Sequence, residues 1–166
     1  MTFKQTYETI ISSEDFKNFK KEFSDAEFCA GFFITDFFGN DNKKSIDFKV
    51  NDKIFTFSIN ELGKIKMFED ELIKNEKFPQ LEKVSPDLKF DLDEIEGIAK
   101  TKALDNGISA KFSKIISVLQ KYEGKQVWNL TCMLEGLIIL HIIIDAETGN
   151  IIKFERKSIM DLIRKK

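Results

Sequence analysis

The sequence predicts an α+β protein built from two halves, each a helix followed by an antiparallel sheet. Three observations predict this class: two capped segments carry apolar residues at helical spacing, many segments alternate apolar and polar residues, and turn residues separate the alternating segments. Both prolines, Pro79 and Pro86, fall in one weakly patterned stretch. We therefore predict halves over residues 1–77 and 90–166, joined by a connection over residues 78–89. Two separate sheets and one shared curved sheet are both compatible with this pattern.

The helix of the first half is predicted to begin after Ser12. Ser12 and Asp15 have the spacing of a capping box, in which side chains satisfy free amides at a helix start. Phe16, Phe19 and Phe23 follow at positions i, i+3 and i+7, which places them on one helical face. The sequence therefore predicts an amphipathic helix that buries three phenylalanines.

Strands are predicted for the rest of the first half. An aromatic strand covers residues 27–38, and alternating strands follow at residues 46–50 and 55–59, with an Asn-Asp hairpin turn between them. Residues 65–74 have a weaker pattern, for which a short amphipathic helix is one interpretation. The first half is thus predicted to be a helix followed by an antiparallel meander.

The second half repeats this order of elements. Asp91 is the predicted N-cap of a helix that ends at Gly107. The segment after it fits helical and strand spacing, and its cluster of β-branched residues favours a strand. The predicted elements that follow the helix are four strands (residues 112–122, 127–132, 137–144 and 151–156) and a short closing helix (residues 158–164).

Two stretches of the second half form a recognisable signature. They are residues 128–132 (Trp-Asn-Leu-Thr-Cys) and residues 140–153, whose most specific part is Ile-Asp-Ala-Glu-Thr-Gly at 144–149. Over residues 90 to about 161 this pattern resembles the PepSY domain family. In that family a hairpin carries a tryptophan in its second strand, and a later strand ends in Asp-x-x-Thr-Gly before an aliphatic strand.

The resemblance implies both a fold and a kind of role. It implies a helix and a four-stranded antiparallel sheet for residues 90–166, with residues 1–77 as a diverged copy of the same shape. Asp145, Thr148 and Gly149 are expected to build a turn in which Asp145 accepts hydrogen bonds from amides and Gly149 takes a positive φ. A regulatory, peptidase-inhibiting role has been suggested for the family. The expectation here is a non-catalytic binding or regulatory module for a protein or peptide.

The sequence contains no motif that predicts catalysis. A glycine-rich phosphate loop, a GxSxG motif, an HExxH motif and a metal-ligand cluster are all missing. We therefore predict no enzymatic activity, no cofactor and no metal. His141, the single histidine, lies in an apolar strand and is predicted to face the sheet surface with one hydrogen-bond partner. Cys29 and Cys132 are isolated in sequence and are predicted to be buried free thiols.

The number and clustering of phenylalanines are more than a core packed against one face of a sheet explains. The chain has 17, and five of them fall in one predicted strand, where successive side chains point to opposite faces. One interpretation is a strand covered on both faces, and the other is an exposed aromatic surface or pocket wall. That surface would serve a protein or peptide partner or, as the alternative function, the small apolar ligand of a carrier or sensor. The candidate residues are Phe32, Phe33, Phe37, Phe38, Trp128 and His141.

Charge and hydropathy argue against other partners. The formal net charge is −2, and only Arg156 and Arg164 are arginines, whereas nucleic-acid binders rely on that side chain. The longest nearly apolar run, residues 137–144, is far shorter than the ~20 residues of a membrane-spanning helix. The N-terminus lacks the apolar core of a signal peptide. We therefore predict a cytoplasmic protein with no nucleic-acid partner and no membrane span, and leave its oligomeric state open.

Overall fold

The computed structural model describes residues 2–71 and 81–158, and within them it contains three helices and eight strands. Every strand pairing is antiparallel, and the spatial order is β4-β3-β2-β1-β5-β6-β7-β8. The elements are α1 (Phe3–Ile11), α2 (Glu14–Glu22), β1 (Glu27–Asp36), β2 (Lys43–Val50), β3 (Lys53–Ile59), β4 (Ile65–Glu71), α3 (Leu92–Asp105), β5 (Phe112–Tyr122), β6 (Lys125–Leu134), β7 (Ile138–Asp145) and β8 (Ile151–Ser158).

One curved sheet spans both halves of the chain. Its central pairing joins β1 of the first half to β5 of the second, with Phe33 opposite Ser117 and Thr35 opposite Ile115. The α+β class is therefore confirmed, and of the two alternatives the shared sheet is the one observed. Residues 81–89 contact both halves, since the Val84 amide donates to the Phe28 carbonyl at 2.9 Å and the Ser85 amide donates to the Gln126 side chain at 2.6 Å.

All three helices pack on the same face of the sheet. Helix α2 places Phe16 and Phe19 against the sheet residues Phe48 and Phe57, with ring centroids 4.9 Å apart for Phe16–Phe48 and 5.1 Å apart for Phe19–Phe57. Burial of such a ring stabilises the fold by roughly 1.5–3 kcal/mol. The core residues of α1 and α3 are Phe3, Ile10, Ile95, Ala99 and Ala103. The opposite side of the sheet is called the open face below.

The first helix of the chain was not predicted, and the start of the second was placed one residue early. Helix α1 begins at a capping box made by Thr2 and Gln5. Ser12 is the C-cap of α1, and the N-cap of α2 is Ser13, whose hydroxyl accepts from the Phe16 amide at 3.1 Å. Two short helices therefore precede the sheet where one was predicted.

The helical interpretation of residues 65–74 is wrong where the structure describes them. Residues 65–71 form the edge strand β4, in which Met67 lies opposite Phe57. A 2.9 Å ion pair between Lys53 and Glu69 joins this strand to β3. Pairing with an otherwise open strand edge satisfies backbone groups, which outweighs a weak helical pattern. The strand assignment of residues 112–122 is confirmed, and the predicted closing helix lies outside the described residues apart from Ser158, which ends β8.

Candidate functional site

The turn predicted from the signature is present and has the expected hydrogen bonds. The Asp145 carboxylate accepts from the amides of Glu147 at 2.8 Å and Thr148 at 3.2 Å. The Thr148 hydroxyl accepts from the Asn150 amide at 3.2 Å, and Gly149 has φ +75°. The hydrogen bonds expected of Asp145 and the positive φ expected of Gly149 are therefore both observed, and Thr148 adds a further hydrogen bond to the turn.

Gly149 is required here for a second reason, because an aromatic ring lies against it. A Cβ atom at this position would come within 2.5 Å of the Phe90 ring. The Phe90 amide donates to the Ala146 carbonyl at 3.2 Å, and the Phe90 carbonyl accepts from the Trp128 indole N–H at 2.9 Å. Phe90 is thus fixed by three contacts: its ring lies against Gly149, its amide donates to Ala146 and its carbonyl accepts from Trp128.

Trp128 is a core residue and does not form part of a surface, contrary to its place in the predicted ligand or partner surface. Its side chain is fully buried, and its ring lies edge-on to Phe3 and Phe33, with centroids 6.1 and 6.0 Å away. A buried indole requires a partner for its N–H, and the Phe90 carbonyl supplies it. Phe33, which is 2% exposed, lies in the same core because alternation turns it away from Phe32.

Asp91 caps α3 and also accepts hydrogen bonds from the first amides of α1. One carboxylate oxygen accepts from the amides of Leu92 at 2.6 Å and Phe3 at 2.8 Å, and the other accepts from the Lys4 amide at 3.1 Å. The predicted N-cap of α3 is therefore confirmed, and the same group also satisfies the start of α1. We call the group Phe90, Asp91, Trp128, Asp145 and Gly149 the signature corner.

His141 lies on the open face and makes the single hydrogen bond that was predicted. Its Nε2 atom is 2.7 Å from the Asn129 side-chain oxygen. Burial of the half-buried ring lowers its pKa, and Lys153 and Lys157 lower it further, while Glu155 acts in the opposite direction. The neutral ring then carries its proton on Nε2, since an amide oxygen can only accept. This arrangement fixes the orientation of the side chain.

The open face carries half-buried apolar side chains around this histidine. None of the three helices in the described residues packs on it. Register places Phe32 beside Val118, and Val118 beside Asn129. The face also includes Ile34 and Ile116, which lie opposite each other two residues along the strands from the Phe32–Val118 pair. Of the six predicted surface residues, only Phe32 and His141 share this face.

Phe37 and Phe38 lie at a different place, just beyond the end of β1. The Phe37 amide donates to the Ser113 carbonyl at 3.0 Å, which extends the β1–β5 pairing and sets these rings beside the start of β5. Phe38 is 63% exposed. Together with residues from α3 and the loop after it, they border a cavity of about 350 Å³. We call this group the aromatic patch, and its large apolar members are Phe37, Phe38, Leu104, Ile108 and Phe112.

Sequence reasoning did not identify Leu104 and Phe112 as members of this patch. Leu104 is 66% exposed because it points away from the buried face of α3, on which Ala99 and Ala103 lie. In the sequence, the indication is a large apolar residue that lies off the apolar face of the predicted helix, shortly before its end at Gly107. Phe112 is separated from Phe38 by more than 70 residues and reaches it only through strand pairing.

Neither a metal centre nor an activated thiol is found in the described residues. No group of three His, Cys, Asp or Glu side chains in residues 2–71 and 81–158 could hold a metal ion. Cys29 and Cys132 are free and buried, as predicted, and burial raises the pKa of both thiols to about 12. No helix in this part of the chain has the length and apolarity needed to cross a membrane.

Comparison with known proteins shows the fold alone. No family model matches the chain, and no curated protein matches it in sequence. Among solved structures, it is similar to the 1.85 Å crystal structure of a "putative lipoprotein" from Clostridium difficile 630, with a TM-score of 0.61 and 14% sequence identity. The match covers 87% of this chain and 91% of the other. At this identity the likeness supports a shared arrangement of helices and sheet.

Proposed function

We propose that this protein is a non-catalytic binding module that engages a protein or peptide through the aromatic patch. The carrying observation is the exposure of two large apolar side chains, Phe38 and Leu104, at the rim of one cavity. Exposed apolar groups that lie together mark interaction sites, whereas single ones are ordinary surface. A PepSY-like regulatory role in the cytoplasm is part of this proposal, and two free thiols suit that reducing compartment.

The charges around the patch indicate what the partner carries. Lys100 and Lys111 line it, and no acidic residue does among those described. The Lys100 ammonium lies 4.5 Å from the Phe37 ring centroid, a cation–π contact, and 3.8 Å from Glu96. A partner segment that fits the patch presents an apolar side chain to the cavity and an acidic residue to the lysines beside it. Electrostatic complementarity of this kind selects partners and speeds their association.

The test is capture of a partner by three versions of the protein. Wild type, a Phe38→Ser, Leu104→Ser double variant and a Leu62→Ser control are compared by cross-linking in native lysate. Leu62 is 83% exposed in the β3–β4 turn and does not border the patch, so it controls for the loss of an exposed apolar residue. We expect a partner recovered with wild type and the control to be lost with the double variant. Equal recovery by all three would contradict the proposal.

The open face supports the alternative function, a carrier or sensor of a small apolar ligand. Its half-buried Phe32, Ile34, Ile116 and Val118 lie side by side across β1 and β5, with no helix of the described residues over them. Native mass spectrometry of the purified protein distinguishes the two functions. A co-purifying lipid or metabolite that is lost on Val118→Ser favours the carrier. A protein that carries no ligand, and whose capture of a partner depends on Phe38 and Leu104, favours the binding module.

A further inference from the structure

We infer that a groove on the helix-covered face of the sheet binds an amino acid or short peptide through its free ammonium group and an apolar side chain. The groove encloses about 430 Å³ between α3 and the start of β2. This lies within the roughly 300–1,000 Å³ range of small-molecule sites. It is separate from the aromatic patch, with which it shares no lining residue. The inference therefore stands independently of the proposed function.

The floor of the groove holds a buried polar group that lacks a partner. Ser117 is 3% exposed and lies between Phe33 and Leu130 in the strand register. Its hydroxyl makes no hydrogen bond with any residue in the described part of the chain. Every side-chain oxygen or nitrogen atom in that part that is completely buried has a hydrogen-bond partner. Since the Ser117 hydroxyl has none, it is not completely buried. The Ser117 hydroxyl is therefore reached from the groove, where a bound molecule can supply the missing hydrogen bond.

Opposite charges line two sides of the groove. Asp93 and Glu96 lie on α3, and Lys44 lies on β2, opposite Phe33 and therefore on the helix-covered side of the sheet. Glu96 has Lys100 at 3.8 Å, whereas Asp93 and Lys44 form no ion pair with described residues. Glu61 adds a carboxylate from the β3–β4 turn. Lys43 lines the groove beside Lys44, so three carboxylates face two ammonium groups.

This arrangement fits the chemistry of an amino acid or a peptide N-terminus. The carboxylates of α3 attract the α-ammonium, and Lys44 on the other side attracts a carboxylate or carbonyl oxygen. The apolar floor, with Phe33, Ile115 and Leu130, accepts an aliphatic side chain. The Ser117 and Thr35 hydroxyls supply hydrogen bonds to the backbone of the ligand. A neutral apolar ligand would leave these polar groups unpaired, and a purely anionic one would face the carboxylates.

The test is isothermal titration calorimetry with L-leucine and L-leucyl-L-leucine. N-acetyl-L-leucyl-L-leucine is the matched probe that lacks the ammonium group. We expect the free dipeptide to bind and the acetylated one to bind at least about tenfold more weakly, because a charge-assisted hydrogen bond is lost. Tighter binding of leucine than of the dipeptide identifies a free amino acid as the preferred ligand class, and tighter binding of the dipeptide identifies a peptide N-terminus. No binding of either free probe at millimolar concentration, or equal binding of the acetylated one, would overturn the inference.

Two variants locate the binding in the groove. Asp93→Asn removes the unpaired carboxylate, and Glu94→Gln is its control, because Glu94 is an exposed neighbour on α3 that does not line the groove. We expect about tenfold weaker binding for Asp93→Asn, unchanged binding for Glu94→Gln, and weaker binding for Ser117→Ala. Both acidic positions are exposed, so neither variant is expected to disturb folding. Binding that survives Asp93→Asn unchanged would place the ligand elsewhere and overturn the inference.

Discussion

The signature corner and the aromatic patch differ in how completely their groups are satisfied. At the corner, the Trp128 N–H and both Asp91 oxygens have partners within 3.1 Å, and a ring fills the space beside Gly149. At the patch, Phe38 and Leu104 are mostly exposed. The corner residues therefore build the fold, whereas those proposed to bind lie where packing is incomplete. Substitutions at the corner should therefore lower stability, whereas substitutions at the patch should not.

Gly149→Val should have the largest effect on stability. A β-branched residue is strained at φ +75°, and its side chain would also collide with Phe90, so we expect a loss of ~3 kcal/mol or more in the free energy of unfolding. Gly63→Val is the control, because Gly63 has φ +78° with open space around it. Its cost should be only about 1–2 kcal/mol. Urea unfolding of both variants measures the difference, and equal losses would show that the contact with Phe90 contributes nothing.

Asp91→Ala should have the next largest effect, because this carboxylate caps α3 and also accepts hydrogen bonds from the first two amides of α1. Removal of the N-cap of α3 costs about 1 kcal/mol, and the loss of two hydrogen bonds to the first amides of α1, which keeps its Thr2 cap, is expected to add about 1 kcal/mol. Ser13→Ala, which removes the cap of α2 alone, should cost about half as much. Chemical denaturation of both variants provides the comparison. If Asp91→Ala costs no more than Ser13→Ala, the coupling of α1 to α3 through this residue is wrong.

The open face should show a smaller, pH-dependent effect. The folded-state pKa of His141 lies below its unfolded value, chiefly through burial, so the unfolded chain binds the proton more readily. Stability is therefore complete above the unfolded pKa, near 6.5, and declines as the pH falls through that value toward the lower folded pKa. Unfolding free energies at pH 7.5 and pH 5 measure it. His141→Gln should lose less stability over this interval than wild type, and an equal loss would exclude His141 as its source.

The sequence predicted elements better than it predicted sites, for physical reasons. Alternation and turn residues determine strands locally, which is why the meander of the second half was predicted with small errors. Helix α1 was missed although Phe3, Tyr7 and Ile10 have helical spacing behind a Thr2–Gln5 capping box. Edge strand β4 depends on pairing with β3, which periodicity does not reveal.

The candidate sites depend on long-range pairing even more strongly. Phe37 and Phe38 were identified from the excess of phenylalanine, but the patch exists only because the β1–β5 pairing brings Phe112 to them. Phe33 and Trp128 were assigned to the same surface, and the packing of α1 on the sheet buries both. Composition shows that aromatic residues are in excess, whereas only the packing of the helices decides which of them remain exposed.

The unfolding free energy of the Phe38→Ser, Leu104→Ser variant tests the division between corner and patch most directly. If the patch is free surface, the variant should unfold within about 0.5 kcal/mol of wild type, as is typical of exposed positions. It should then combine unchanged stability with loss of the captured partner. A loss of 2 kcal/mol or more, the size expected for a truncated core side chain, would show that these residues are part of the core and would contradict the account.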